Sequence, residues 1–523
     1  MIRNVLASGA IALAAFIPAR AQAPTQAPER ATFYILVGND TLGRERSRRT
    51  ATSVDAEYLG SGGSAHVTYH LDIAPNGLVT RMVVSPAASS ARSAQPVVLT
   101  FEGDTVVVEA GGHTTKALGG TGVMPNFNPS AVLFEQMLIH ARLAGGASLT
   151  IPAYYPNANQ SVPTTITFAG DDSALVMVGG VTMRLAVSPS GRLLGGEVPA
   201  QRVRFVRGPA VDAFAVKPPD YSAPAGAPYT AEEVVVHTPT GVALAGTLTR
   251  PRGAAGQRVP AVVTITGSGQ ENRDEDLPGV DGYHLFRQVA DTLGRRGIAV
   301  LRLDDRGVGG SSGPVKNATS ADFASDIGAA VAFLRARSDI DSARIGLIGH
   351  SEGGMIAPMV AATDPAIRAV VLLAGPSRTG RNILDYQREY AVDSMLHIPV
   401  AKRDSALAAM SRALDSTAAA DGWVRFFLDY DPVTTARRVR TPVLILQGAT
   451  DRQVTPDQAA ELADAFRAGG NRDVTVHVFP ETDHLFLRDR SGNPSGYRAL
   501  ASKRISGEIM GRIADWFATR LSR

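Results

Sequence analysis

From residue 31 to residue 208, apolar positions recur at every second residue in short runs separated by Gly, Asn, Asp and Ser. Strict alternation, as in Val67-Thr68-Tyr69-His70-Leu71, sends one set of side chains to a core and the other to water, the pattern of a half-buried strand. The same pattern marks strands over 32–37, 65–73, 78–84, 97–101, 105–109, 164–168, 174–178, 182–187 and 202–206. The spacing predicts a helix over 130–143, opened by Pro129 and closed by Gly145-Gly146. Residues 31–208 thus predict a separate, mostly antiparallel β domain, as a sheet or a partly closed barrel. No repeat of fixed period points to a propeller.

Residues 209–228 (PAVDAFAVKPPDYSAPAGAP) concentrate Pro and Ala, which is linker chemistry and sets the domain boundary. From 229 to 523 the rhythm changes to strands alternating with helices, the α/β class with a mainly parallel sheet covered by helices. An opening hairpin (232–237 and 242–248) turns at Thr240-Gly241. Strands follow at 261–266, 298–303, 344–348 and 369–373, with helices at 284–296, 321–337 and 352–362. The series resumes with a strand at 443–447, a helix at 456–468, a strand at 474–479 and a final helix at 505–521. Between these two series, residues 377–431 show helical polarity at 383–395, 401–414 and 423–430. An insertion at that point predicts a helical cap over the carboxyl end of the sheet, where open α/β sheets bind ligands.

At 523 residues the chain exceeds the length at which one hydrophobic core stops growing, roughly 250–300 residues, so at least two domains are required. Lys and Arg number 52 against 49 Asp and Glu. Removing Arg3 and Arg20 with the segment discussed next leaves 50 against 49, an almost neutral chain with no electrostatic footprint for nucleic acid. The absence of Cys excludes disulfides, thiolate metal sites and a Cys nucleophile.

Arg3, the apolar run over 5–17 and Ala21-Gln22-Ala23 read as a secretory signal peptide over 1–23, with export to the periplasm or beyond. The run is shorter than the ~18–20 residues needed to span hydrocarbon, and no later stretch is longer, so no stable membrane span is expected.

The strongest chemical signal is Gly349-His350-Ser351-Glu352-Gly353, followed by Gly354, between a predicted strand and a predicted helix. G-x-S-x-G at such a junction serves a strained turn whose glycines allow close backbone approach and lift the Ser hydroxyl above the sheet. Ser351 is the candidate nucleophile. A hydroxyl needs a base to take its proton, and the base needs an acid to fix its tautomer. In chain order Ser, acid, His, the loops Gly448-Ala449-Thr450-Asp451-Arg452 and Glu481-Thr482-Asp483-His484-Leu485 supply Asp451 and His484. The oxyanion hole needs two backbone N–H groups. Glu352 offers one, and either Ser268 or Gly269, in the run Thr266-Gly267-Ser268-Gly269-Gln270, offers the other.

Other groups weigh less. His350 precedes the nucleophile and reads as a packing or hydrogen-bonding residue; His477 lies in a strand, His397 in the cap and His284 at a helix start. Asp483 adjoins His484 but points elsewhere, and Asp457 sits on the next helix. The glycines of 307–313 do not fit a dinucleotide fingerprint. His66 and His70 share a strand face without further ligands, and no H-E-x-x-H occurs, so no metal and no cofactor is expected. Asn272-Arg273-Asp274-Glu275-Asp276 reads as a solvated charge run or as the rim of the site, and Asp305-Arg306-Gly307 as a loop organiser.

These motifs together, with Thr238–Thr249 (TPTGVALAGTLT), GSGQENRDE from Gly267, DRGVGGS from Asp305, WVRFFLDYDP from Trp423 and VFPETDHLF around His484, give residues 229–523 a resemblance. They resemble the bacterial α/β-hydrolase carboxylesterases grouped with serine aminopeptidase S33 and lysophospholipase-like hydrolases, EstD-type esterases above all. The resemblance implies an α/β-hydrolase fold and a cofactor-free serine hydrolase of small-molecule carboxylic esters working through an acyl-enzyme, with the triad on Ser351, Asp451 and His484. One departure stands at Gln270-Glu271-Asn272-Arg273, where Pro and Asp are more usual. Residues 31–208 lie outside the resemblance.

The leading expectation is an exported carboxylesterase, with Phe426, Phe427, Leu428 and Tyr430 of the cap favouring an apolar acyl or alcohol group. A serine aminopeptidase or acyl-peptidase shares the catalytic set and would need an ionic anchor such as Glu352 or Arg273. A binding protein that uses its β domain and keeps the second domain as a scaffold is the third reading.

Overall fold

The computed structural model describes residues 27–522, apart from 38–39, 61–65, 87–95, 111, 128, 157–158, 215–218, 253–256, 278–279, 316 and 396–399. The expected signal peptide and His397 lie outside the described residues.

The first half folds as one fifteen-stranded sheet. It runs as a meander from His113–Leu118 at one edge back to Glu29–Val37, crosses to Val203–Gly208, and continues to Met124–Pro125 at the other edge. Every pairing is antiparallel except that of Met124–Pro125 with Ser148–Tyr155. The helix Ala131–Ala144 joins the inner face, where Phe33, Ile35, Leu71, Leu99, Met137 and Leu138 are buried in one core.

Several of these strands escape the alternation rule, and Asp40–Arg49 (DTLGRERSRR) shows why. Its inward positions are Gly43, Glu45, Ser47 and Arg49, all buried, so the core side of this strand is polar. The helix neutralises it. Glu45 accepts hydrogen bonds from Ser130 Oγ (2.7 Å) and the Val132 amide (2.9 Å), which also satisfies the open N-terminus of the helix. Glu135, 1% exposed, accepts from Arg192 and Arg207 at 3.2 Å each and from the Leu193 amide at 3.0 Å.

The Pro- and Ala-rich segment is anchored at both ends. Val211 donates its amide to Thr32 Oγ1 (3.1 Å), Asp212 pairs with Arg30, and Phe214 lies under Arg44 (5.3 Å to the ring centre). Farther on, the Tyr221 ring stacks on the Arg273 guanidinium at 4.1 Å.

The second half contains an eight-stranded sheet. Its strands are β1 (Tyr229–His237), β2 (Ala243–Pro251), β3 (Val259–Ile265), β4 (Ala299–Leu303), β5 (Ile340–His350), β6 (Ala369–Leu373), β7 (Val443–Gly448) and β8 (Val474–Phe479). The spatial order is β1-β2-β4-β3-β5-β6-β7-β8, with the β1/β2 and β2/β4 pairs antiparallel and the rest parallel. The order reverses at β3, so the loops after β3 and β5 leave the sheet side by side and open a crevice between them. Strands β4, β6 and β7 are buried along their full length, as expected of a sheet covered on both faces. Strand β5 begins four residues earlier than the alternation suggests, because Ile340 pairs with Val259 across a register shift.

Helices α1 (Leu285–Arg295), α2 (Ser320–Ala336) and α3 (Glu352–Thr363) follow β3, β4 and β5. The insertion between β6 and β7 holds α4 (Gly380–Tyr390), α5 (Arg403–Ala420), α6 (Gly422–Asp429) and α7 (Pro432–Ala436). Helix α6 starts where Asp421 accepts the amides of Trp423 (2.8 Å) and Val424 (3.1 Å). Helix α4 approaches it so closely that a Cβ on Gly380 would lie 2.3 Å from the Phe427 ring. Helices α8 (Asp457–Ala468) and α9 (Gly507–Arg520) complete the domain.

Candidate active site

Ser351 sits between β5 and α3 with φ 52° and ψ −116°, a backbone conformation that costs strain in any residue with a side chain. The turn is held by the Ser351 amide, which donates to the Leu373 carbonyl at 2.9 Å. Its flanking glycines are obligatory: a Cβ on Gly349 would come within 2.0 Å of the Gly353 carbonyl oxygen, and one on Gly353 within 2.1 Å of that of Ile265.

The loops after β7 and β8 bring Asp451 and His484 together. His484 Nδ1 and Asp451 Oδ2 are 2.8 Å apart, and both residues are buried. The Asp451 carboxylate also accepts the amides of Gln453 (2.7 Å) and Val454 (3.0 Å) and the Gln447 side-chain amide (2.9 Å), so its orientation is fixed from several sides. Asp483 turns away from His484, accepting the amides of Leu485 (3.0 Å) and Leu487 (2.8 Å), and shapes the loop instead. Burial pushes its carboxyl up to about 7.

Ser351 and His484 line one cavity of about 220 Å³, together with Gly267, Ser268 and Glu352. A Cβ on Gly267 would stand 3.5 Å from Ser351 Cβ, so the loop after β3 passes directly beside the nucleophile position. Of the two candidate donors in that loop, Ser268 lines the cavity and Gly269 does not. The Glu352 amide begins α3 beside Ser351, at the positive end of the helix dipole. The Glu352 carboxyl is used elsewhere. It accepts from Ser320 Oγ (2.6 Å) and from Trp423 Nε1 (2.9 Å), which ties α6 of the insertion to the turn that carries Ser351.

The charge run after this loop is not solvated. Glu271 is 8% exposed, Arg273 3%, Asp274 1% and Glu275 1%. Glu271 accepts the Gly267 amide at 3.1 Å, and the other three charges are each drawn inward by a partner distant in sequence. Arg273 donates to Asp304 Oδ1 and Oδ2 (3.0 and 2.9 Å), Glu233 (2.6 Å) and Thr247 (2.7 Å), which commits four of its five N–H groups within the protein. Asp274 pairs with Arg302, and Glu275 with His350. Glu271 and Glu275 both line the Ser351 cavity; for Glu275 this agrees with the reading of 272–276 as the rim of the site, whereas Glu271 was not singled out, its one local signal being its place just after the Gly-rich loop. Asp305 accepts Thr266 Oγ1 (2.8 Å) and the Glu271 amide (3.1 Å), organising the loop, and burial pushes its carboxyl up to about 8.

The other histidines stand apart from this centre. His477 contacts Arg512, His284 pairs with Asp276, and His66 and His70 pair with Glu57 and Asp55. Among the apolar residues of α6, Phe427 lines the Ser351 cavity, whereas Phe426 and Tyr430 border a separate surface groove. Among the described residues no helix is long and apolar enough to cross a membrane.

A parallel sheet with this strand order, helices on both faces and a Ser on a strained turn after the fifth strand define an α/β-hydrolase-like fold. Comparison with known proteins agrees with a hydrolase of this superfamily. Residues 284–502 match the prolyl oligopeptidase family, Peptidase_S9. Esterase EstD of Thermotoga maritima is 28% identical over 282 residues, 52% of this chain and 65% of the esterase. An uncharacterized peptidase of Bacillus subtilis, YuxL, is 25% identical over 305 residues, 55% of this chain and 39% of that protein. The chain thus spans less than two thirds of either relative. A solved esterase of Pyrococcus furiosus superposes with a TM-score of 0.42 at 18% identity, covering 59% of this chain and 98% of the esterase.

Proposed function

We propose that the protein is an exported serine hydrolase of carboxylic esters, with Ser351 as nucleophile, His484 as base and Asp451 as the acid that orients it. The observation that carries this reading is the 2.8 Å contact between His484 Nδ1 and Asp451 Oδ2 in the cavity that Ser351 lines from its strained turn. In this reading His484 Nε2 takes the Ser351 proton as Oγ adds to the ester carbonyl. The amides of Glu352 and Ser268 receive the oxyanion, and the alcohol leaves with the proton from His484. Water, deprotonated by His484, then releases the acid and restores Ser351. The helical insertion acts as a cap that closes the cavity through Phe427 and Trp423. Its apolar lining there, with Leu277, Ile383 and Leu384, suits an apolar acyl group.

The similarity to EstD and the EstD-type motifs support the ester over the peptide. The peptidase reading draws on the prolyl oligopeptidase match, but Arg273, one of its candidate anchors, is buried and paired with Asp304 and Glu233. The test is hydrolysis of a series of nitrophenyl acyl esters and aminoacyl nitroanilides by the wild type and Ser351→Ala. Ester turnover lost in the variant, with anilides untouched, is expected. Ester turnover retained in Ser351→Ala would remove Ser351 from its role, and anilide turnover would move the protein to the peptidases.

A further inference from the structure

The described lining of the cavity at Ser351 brings two glutamates, Glu271 and Glu275, beside Ser351. Around the point where a Cβ on Gly267 would stand lie Glu275 Oε1 at 3.3 Å, Ser351 Cβ at 3.5 Å and Glu271 Oε1 at 3.7 Å, so both carboxyl groups stand beside the nucleophile position. Among the described residues no Lys or Arg lines the cavity. The nearby guanidinium of Arg273 is committed to Asp304 and Glu233. His350 is committed to Glu275 and to the His484 carbonyl. Glu275 Oε2 is buried without a hydrogen-bond partner among the protein atoms. The same enclosure already bears on the protein's own groups: burial, with Glu275 and Asp305 close by, pushes the Glu271 carboxyl well above the ordinary carboxylate range. A substrate carboxylate entering here would leave water and meet no countercharge, the least favourable case for a buried ion.

We propose that Glu271 and Glu275 make this cavity a charge filter, which admits esters with an uncharged acyl group and rejects those whose acyl group carries a carboxylate. The proposal rests on the ester-hydrolase reading and names the substrate class of that site.

The test compares monoethyl succinate with ethyl succinamate, which differ only in a terminal carboxylate against a carboxamide, with ethyl butyrate as the reference ester. With the full chain at neutral pH, kcat/KM for the succinamate is expected to exceed that for the succinate by about 100-fold or more. In Glu271→Gln/Glu275→Gln the ratio is expected to fall at least about tenfold. Because the ratio is taken within one preparation, the folded fraction cancels. Glu275→Gln alone, which removes the carboxylate that faces His350, serves if the double variant does not fold and should move the ratio in the same direction. A wild-type ratio near one overturns the filter, as does a ratio that these substitutions leave unchanged. If none of the three esters is hydrolysed, the ester reading fails by itself. The filter is then read from how each succinyl compound slows labelling of Ser351 by an uncharged fluorophosphonate. Protection by the succinamate alone is expected, and protection that does not distinguish the two overturns the proposal.

Discussion

His350 donates from Nε2 to the backbone carbonyl of His484 at 2.9 Å, while its Nδ1 faces the Glu275 carboxylate. Both ring nitrogens thus meet acceptors. Burial alone would pull the imidazole down, but Glu275 outweighs it and holds the ring above its ordinary value. One side chain therefore joins three loops: the turn that carries Ser351, the loop that carries His484 and the Gly-rich loop beside the cavity.

His350→Ala should let the His484 loop relax, and a small misplacement of a base costs up to about 100-fold in rate. The expected result is a loss in kcat of about 10- to 100-fold, with KM changed far less and circular dichroism unchanged. His350→Gln keeps a donor for the His484 carbonyl and should recover part of the loss. A steady-state comparison of the three proteins separates positioning from simple destabilisation.

Trp423 fastens the insertion to the same turn through the Glu352 carboxyl, 2.9 Å from its indole nitrogen. Trp423→Phe keeps the ring stacked on Phe427, now 5.2 Å away, and removes only the N–H. A hydrogen bond to a carboxylate contributes about 1.5–3 kcal/mol. We expect kcat/KM to fall by about tenfold or more on neutral esters, with Ser320 still holding Glu352 in place.

A methyl group at Gly353 has no room. Its carbon would lie 2.1 Å from the Ile265 carbonyl oxygen and 2.6 Å from that of Thr266, both fixed backbone. Gly353→Ala is expected to lower unfolding free energy by about 3 kcal/mol or more and to abolish activity. Gly511, within α9, meets nothing within 4 Å, so Gly511→Ala should be neutral or raise stability by about 0.5–1 kcal/mol. Denaturant unfolding of the two variants checks both signs.

Burial raises the carboxyls of Asp305 to about 8 and Asp483 to about 7 in the folded protein. A folded-state value above the unfolded one means that the native state binds the proton more tightly. The resulting stabilisation is complete below about pH 4 and is lost as pH rises through 7 and then 8. Thermal unfolding should therefore shift to lower temperature between pH 6 and pH 9, and Asp483→Asn should flatten the first part of that fall. Carboxyls held low by an arginine, such as Asp339 beside Arg337, act in the opposite sense but lose their effect only under acid conditions, whereas His350 adds to the alkaline limb in the same sense, so the Asp483→Asn comparison is what assigns the acid's share.

The alternation of strands and helices after residue 229 was legible because strand period, helix period and the strained G-x-S-x-G turn are local properties, each written within a few consecutive residues. Ser351 stands at its strand-to-helix junction for that reason, and the order of Asp451 and His484 along the chain follows from the order of the loops. What the sequence did not disclose depends on pairing across distance. The charge run at 272–276 reads equally as a solvated run or as the rim of the site until Arg302, 28 positions from Asp274, and His350, 75 positions from Glu275, are brought against it. The strand Asp40–Arg49 is not among the segments that alternation marks, because its core side is polar, and Ser130, 85 positions from Glu45, supplies the donor that lets a carboxyl face the core. The sequence by itself determined the periodic elements and the strained turn that carries Ser351. Only the tertiary structure decided which charges are buried, because a charge leaves water only where a partner waits, and that partner is chosen by the fold.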